Sequence, residues 1–155
     1  MTPAINLAKK AKIKYTVHEY SHDTSVDSYG QEAVQKLGID PKKVFKTLVV
    51  ITEDKKLAVG IVPVCSKLSM KNMAKALQYK KTSMAEAIEV ERSTGYILGG
   101  VSPLGQKKRL QTVLDKSALN CDTMFVSAGR RGLEIELAPE DLLSLTNGKF
   151  KDISI

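Results

Sequence analysis

Two β-branched apolar runs, residues 44–51 (VFKTLVVI) and 57–63 (LAVGIVP), flank the short polar segment Glu53-Asp54-Lys55. Runs this short and this apolar are the pattern of strands buried deep in a core, and the polar break between them predicts a hairpin. The pair is the expected centre of the fold.

The flanking sequence predicts what packs around it. Thr2 is placed to cap a helix whose first position is Pro3, where the missing N–H costs nothing, and the helix is expected to run to about Lys12. Residues 14–20 are rich in β-formers and lead into the polar cluster 21–25, a strand entering a loop. A second helix is expected from about Gln31 to Leu37, ending at Gly38. Ser69 can cap a third through Leu77, and Ser83-Met84-Ala85-Glu86 has the form of a capping box for a fourth. Strands are expected over residues 94–98, 110–114 and 124–127. Residues 133–137 (LEIEL) alternate strictly, predicting a half-exposed strand with its glutamates on the other face. Residues 139–145 make a last helix closed by Asn147-Gly148.

The regular strand-helix-strand spacing of a doubly wound sheet is missing, and no repeat or linker interrupts the chain. The expected architecture is α+β: one domain over residues 1–155, with a mixed, mostly antiparallel, barrel-like sheet flanked by short helices. A composition of 43% hydrophobic and 26% charged residues suits such a core and argues against disorder. No stretch approaches the ~18 apolar residues of a membrane span. The N-terminal segment mixes lysines with small apolar residues and lacks a signal peptide's separate hydrophobic region, so a soluble, cytoplasmic protein with no membrane partner is expected.

Lys and Arg number 24 against 17 Asp and Glu, a net charge of +7, which favours a polyanionic partner. The absence of Trp, with only 5% aromatic residues, argues against a single-strand stacking platform. Cys65 and Cys121 lie far apart with no C-x-x-C, so the expectation is two buried small hydrophobes in a reducing compartment rather than a redox or zinc motif.

His18-Glu19-Tyr20-Ser21-His22 matches H-E-x-x-H, the helical zinc motif of metalloproteases. The neighbouring residues favour a strand, in which positions four apart lie roughly 13 Å from each other and cannot share one ion. An ordinary solvated edge, with a substrate contact near Tyr20 as the alternative, is the expectation. Residues 99–109 (GGVSPLGQKKR) look like a phosphate loop but fail as a Walker A, because Gln106 follows Gly105 where Lys and Ser/Thr are needed. What remains is exposed backbone N–H donors followed by three cations, either a ligand loop or a tight turn. Residues 127–132 (SAGRRG) form a second loop of the same kind. Lys46, beside Phe45 at the mouth of the apolar run, must snorkel outward or meet an anion or carbonyl. No Ser/His/Asp set with a supporting motif and no assignable carboxylate pair appears.

Met1-Thr2-Pro3-Ala4, Phe45-Lys46-Thr47-Leu48, Ser93-Thr94-Gly95-Tyr96, the whole of residues 99–109 and residues 126–133 together resemble the YbaK/EbsC family. The resemblance covers essentially the whole chain. It is strongest to the bacterial YbaK-type Cys-tRNA(Pro)/Cys-tRNA(Cys) deacylases, free-standing relatives of the editing domain inserted in bacterial prolyl-tRNA synthetase. It implies a barrel-like mixed sheet, hydrolysis of the ester joining a misactivated amino acid to the 3′ end of tRNA, no metal or cofactor, and prolyl-tRNA synthetase as partner.

The resemblance also implies the site. Lys46 falls on the family's essential lysine, and Tyr20, Gly99, Ser127 and Glu134 fall on its acceptor and aminoacyl pocket. Tyr29, Gly100, Ser102, Lys107 and Arg130 are expected to complete the substrate contacts. Tyr29 stands where Phe is more frequent, Glu134 where Asp is common, and Ala128 where the loop usually has glycine. In the family the substrate's own cysteine thiol is thought to attack the ester carbonyl. The N–H groups of Gly99 and Gly129 are then candidate oxyanion donors, and Ser127 orients the substrate. Two alternatives stay open: a deacylase for Ala or Ser on tRNA(Pro) that uses a bound water, and a non-catalytic tRNA or synthetase adaptor.

Overall fold

The computed structural model describes residues 1–23 and 29–155, the side chain of Tyr29 excepted. The predicted hairpin is there: β2 (Phe45–Thr52) pairs antiparallel with β3 (Leu57–Pro63), Phe45 opposite Pro63 and Val50 opposite Ala58. β3 is the more deeply buried, with every residue from Ala58 to Pro63 out of solvent. Val59 and Ile61 face one core, Ala58 and Val62 the other. Gly60 sits between them, where an added Cβ would come within 3.2 Å of the Leu68 side chain. That closeness lets α3 (Met70–Leu77) pack tightly on the sheet.

Two sheets form instead of one barrel. The larger has the order β4 (Thr82–Met84), β2, β3, β5 (Gln111–Asp115), β8 (Lys149–Lys151), with β3–β5 and β5–β8 parallel. The smaller is antiparallel throughout: β1 (Tyr15–Glu19), β7 (Leu133–Leu137), β6 (Met124–Arg130). Among the described residues, one isolated bridge, Val44 to Phe125, joins them. The barrel-like expectation is therefore corrected to two facing sheets sharing one apolar core, in which Val49, Val59 and Ile61 meet Val126, Ile135 and Leu137. Closure fails where β4 covers β2 only from Val50 to Thr52, leaving the edge of β2 from Phe45 to Val49 without a strand partner of that sheet among the described residues.

The helices follow their end signals. In α1 (Pro3–Ala11) the Thr2 hydroxyl accepts the Ile5 N–H at 3.3 Å and donates to the Ala128 carbonyl, tying the N-terminus to β6. Ser69 caps α3 by accepting the Asn72 N–H at 3.0 Å. Helix α2 spans Tyr29–Leu37, and α5 spans Pro139–Thr146 with Asn147 left-handed at its C-cap.

Several expectations are overturned. Residues 94–98 are not a strand: α4 (Ala87–Thr94) runs into them and Gly95 stops it at φ 80°. Ser93 and Thr94 are buried at the end of this helix, their hydroxyls satisfied by donating back to the carbonyls of Glu89 and Val90. The capping box does not form, since Ser83 is drawn into β4 opposite Ile51 and the N-cap is Glu86, without a side-chain bond. Cys65 is exposed and Cys121 half-buried, because both lie beside the surface turn Pro41–Lys43. Glu134 and Glu136 do not face water as the alternation of β7 suggested. Glu134 is 7% exposed, and Glu136 accepts from Thr123 and pairs with His18.

Candidate active site

The open edge of β2 borders a cavity of about 410 Å³ between the two sheets. The large sheet supplies Phe45, Lys46, Thr47 and Leu48, and the small one supplies Ser127, Arg130 and Glu134. Tyr20 enters from the end of β1, Gly30 from α2, and Leu98, Gly99 and Val101 from the loop after α4. Six of the expected residues thus converge on one space: Tyr20, Lys46, Gly99, Ser127, Arg130 and Glu134.

Two glycines hold the loops together here. An added Cβ at Gly100 would stand 2.7 Å from the Arg130 Cα, so the 95–101 loop lies directly on the end of β6. Gly129, at φ 114°, makes the register shift between Ser127 and Arg130 that turns Arg130 toward the cavity. Ala128 does not need that conformation, since it is a fully buried residue of β6 and the positive φ falls on its neighbour.

The cavity's electrostatics come mainly from burial. Burial pulls the Lys46 ammonium below the ordinary lysine range, with Cys65 opposing and Lys67 reinforcing the shift. Burial pushes the Glu134 carboxyl up to about 8, so it is mostly protonated at neutral pH. Tyr20 is pushed up to about 12 by burial first and then by the charge of Glu134.

Not every expected residue joins this space. The Gly129 N–H donates to the Ser127 hydroxyl at 3.2 Å, and Gly129 lines a neighbouring pocket. That bond leaves the Ser127 hydroxyl proton available to a ligand. The Gly99 N–H has no partner among the described residues, and Gly99 lines the cavity. Gly100 lines the neighbouring pocket instead. Ser102 is fully buried and fixes its own loop, accepting the Leu104 N–H at 3.2 Å. Lys107 is exposed, its N–H bonded to the Thr94 carbonyl, and touches neither pocket. The Tyr29 side chain lies outside the described residues. The two histidines of the H-E-x-x-H match serve different carboxylates, His18 pairing with Glu136 at 2.9 Å and His22 with Glu32 at 2.7 Å.

Thr47 was not anticipated. Its hydroxyl is buried in the cavity wall with no hydrogen-bond partner among the described residues. The Val64 N–H bonds the Val44 carbonyl and the Thr52 N–H bonds that of Lys56, so the even-numbered residues of β2 face β3. The main-chain N–H and C=O of Thr47 therefore point to the open edge. Thr47 is one of three polar residues in β2, beside Lys46 and Thr52, so the sequence did not single it out. Thr47→Val removes an unsatisfied hydroxyl at nearly constant shape, so the free protein is expected to be as stable or slightly more so, while KM rises by about 5- to 20-fold. Thermal denaturation and steady-state kinetics check the two halves.

Comparison with known proteins bears on what this site does. The model of the aminoacyl-tRNA editing domain matches residues 23–145. EbsC of Enterococcus faecalis (strain ATCC 700802 / V583), provisionally named a Cys-tRNA(Pro)/Cys-tRNA(Cys) deacylase, is 40% identical over 99% of this chain and 93% of its own. YwhH of Bacillus subtilis (strain 168), which is uncharacterised, is 26% identical over 77% of this chain and 75% of its own. Among solved structures, one provisionally described as a trans-editing enzyme for prolyl tRNA synthetase superposes with a TM-score of 0.83. It shares 23% identity, covering 98% of this chain and 92% of that one, and so supports the fold. The hypothetical protein APE2540 gives 0.87 at 22% identity, covering 99% of both chains. The chain belongs to the aminoacyl-tRNA editing domain family and is an aminoacyl-tRNA deacylase of the YbaK type.

Proposed function

We propose that this deacylase clears cysteine from tRNA(Pro), and from tRNA(Cys), by using the substrate's own thiol as nucleophile. The observation that carries the reading is the composition of the cavity wall. Among the described residues it holds no histidine or cysteine, neither Ser127 nor Thr47 is hydrogen-bonded to a basic side chain, and the carboxyl opposite Ser127, Glu134, is kept mostly protonated by burial. Such a site can position an ester and stabilise charge but offers little activation to a water.

In this reading the apolar wall of Phe45, Leu48, Leu98 and Val101 packs the terminal adenosine and the small side chain. The cysteine sulfur attacks the ester carbonyl: a C–S bond forms, the C–O bond to the ribose breaks, and the thiol proton passes to the departing 3′ oxygen. Water then opens the resulting β-thiolactone to free cysteine. The Gly99 N–H and the Lys46 ammonium face the developing oxyanion, Ser127 orients the ester, and Glu134 ionises against the substrate's α-ammonium.

Prolyl-tRNA synthetase is the partner that would confer tRNA choice, and the cytoplasm, where tRNA is charged, is the place of action. Single-turnover deacylation of Cys-tRNA(Pro) and Ala-tRNA(Pro) tests the proposal. Cysteine is expected to be lost about 100-fold faster, because an intramolecular nucleophile is replaced by an unassisted water. Equal loss of alanine would move the chain to the water-using deacylases, and loss of neither to the adaptor reading.

A further inference from the structure

A second pocket, of about 450 Å³, adjoins the cavity and shares Leu98, Arg130 and Arg131 with it. Its remaining wall is made by Gly95, Gly100 and Gly129, which offer bare backbone, and by Tyr96 and Ile97. Tyr96 is fixed in place, its hydroxyl donating to the Leu104 carbonyl at 2.6 Å. Ile97 is 74% exposed and Leu98 42%. Two large aliphatic side chains standing in water beside an active site need a reason, and the loop does not display them by chance. It is pinned by the Leu98 N–H donating to the Glu91 carboxylate at 3.3 Å and by the seat of Gly100 on Arg130.

The charge around these side chains is positive. Arg130 is exposed and makes no ion pair among the described residues. Arg131 lines the same two pockets and brings a second cation to the ridge. A flat apolar shelf, glycine backbone that a ligand can approach closely and a free guanidinium on the ridge suit a base joined to a phosphodiester.

We propose that this pocket is a subsite for the nucleotide preceding the aminoacylated one, its base lying on Ile97 and the connecting phosphate on Arg130. The inference rests on the deacylase reading of the cavity. With the aminoacyl-adenosine in the first pocket, the 5′ phosphate must leave across the ridge that Arg130 and Leu98 share. The chain would then hold two nucleotides of any acceptor end and leave the rest of the tRNA to the synthetase.

The test compares kcat/KM for two small esters, 3′-cysteinyl adenosine 5′-monophosphate and the 3′-cysteinyl ester of the dinucleotide cytidylyl-adenosine. Wild type is expected to favour the dinucleotide by about tenfold, and Ile97→Asp and Ile97→Ala to bring that ratio toward one, the aspartate further through its repulsion of phosphate. Ile97 is exposed, so both variants are expected to fold, which the thermal midpoint verifies. A ratio near one for wild type, or a ratio that survives Ile97→Asp, overturns the subsite. If Ile97→Asp instead weakens only association with prolyl-tRNA synthetase, the patch is a protein-docking surface and the proposal fails. Cleavage of neither ester by wild type overturns the cysteine reading itself, a result separable from the others.

Discussion

Lys46→Ala is expected to slow single-turnover deacylation of Cys-tRNA(Pro) by about 10²- to 10³-fold while changing tRNA affinity by less than about threefold. The two magnitudes differ because the two roles draw on different charges. Affinity for a polyanion sums over many cations, and this chain has 24. Stabilising an oxyanion needs one donor at one place, in surroundings where water does not screen it. Lys46 is the lysine in the cavity wall, and burial already draws its pKa below the ordinary range. Lys46→Arg keeps the charge on a longer, planar group and is expected to restore only part of the rate. Filter binding of the tRNA beside the single-turnover rates separates the effects. A parallel fall in both would make Lys46 a phosphate anchor and favour the adaptor.

The position of Lys46 follows from features of the fold that the sequence carried unequally. The hairpin of β2 and β3 was readable because a strand with a packed layer on each face must be apolar on both, and β3 is. The unpaired edge of β2 was not readable, because it depends on where β4 stops, and nothing in residues 82–84 marks that point. Thr47 stayed hidden for the same reason: its significance lies in having no partner, which only the surrounding strands decide.

The glycine-rich loops show a different limit. Residues 99–109 match the family as one continuous stretch, but the chain does not present them as one surface. Gly99 reaches the cavity, Gly100 turns to the neighbouring pocket and Ser102 goes into the core. Gly105, at φ 68°, then seats against the backbone of Pro3 and Ala4. Resemblance found the loop, and the packing of α1 on it decided which of its residues a substrate can touch. Periodicity misjudged β7 in a related way. Alternating residues do face opposite sides, but the side assigned to water is roofed by the cavity walls, so Glu134 is buried there.

That burial predicts the second large effect. The Glu134 carboxyl is about 8 in the folded protein and near 4.5 when exposed, so between those values the folded state binds more protons than the unfolded one. Stability from this group is therefore fully present below about pH 4.5 and falls as pH rises toward about 8. Above that the cost is constant. Glu134→Gln removes the titration while keeping the shape, and it is expected to be more stable than wild type by about 2–4 kcal/mol at pH 8.5 and nearly equal to it at pH 5. Urea denaturation across that range checks it, and parallel curves for the two proteins would refute it. The same variant is expected to deacylate slowly, because glutamine cannot supply the negative charge that the substrate's α-ammonium meets. Calorimetry in buffers of different ionisation enthalpy reads that step directly: near pH 6.5, binding of an uncleavable cysteinyl-adenosine amide is expected to release close to one proton from wild type and none from Glu134→Gln. A carboxyl kept against its preference for water thus weakens the free protein and holds in reserve the charge that a cationic substrate brings out.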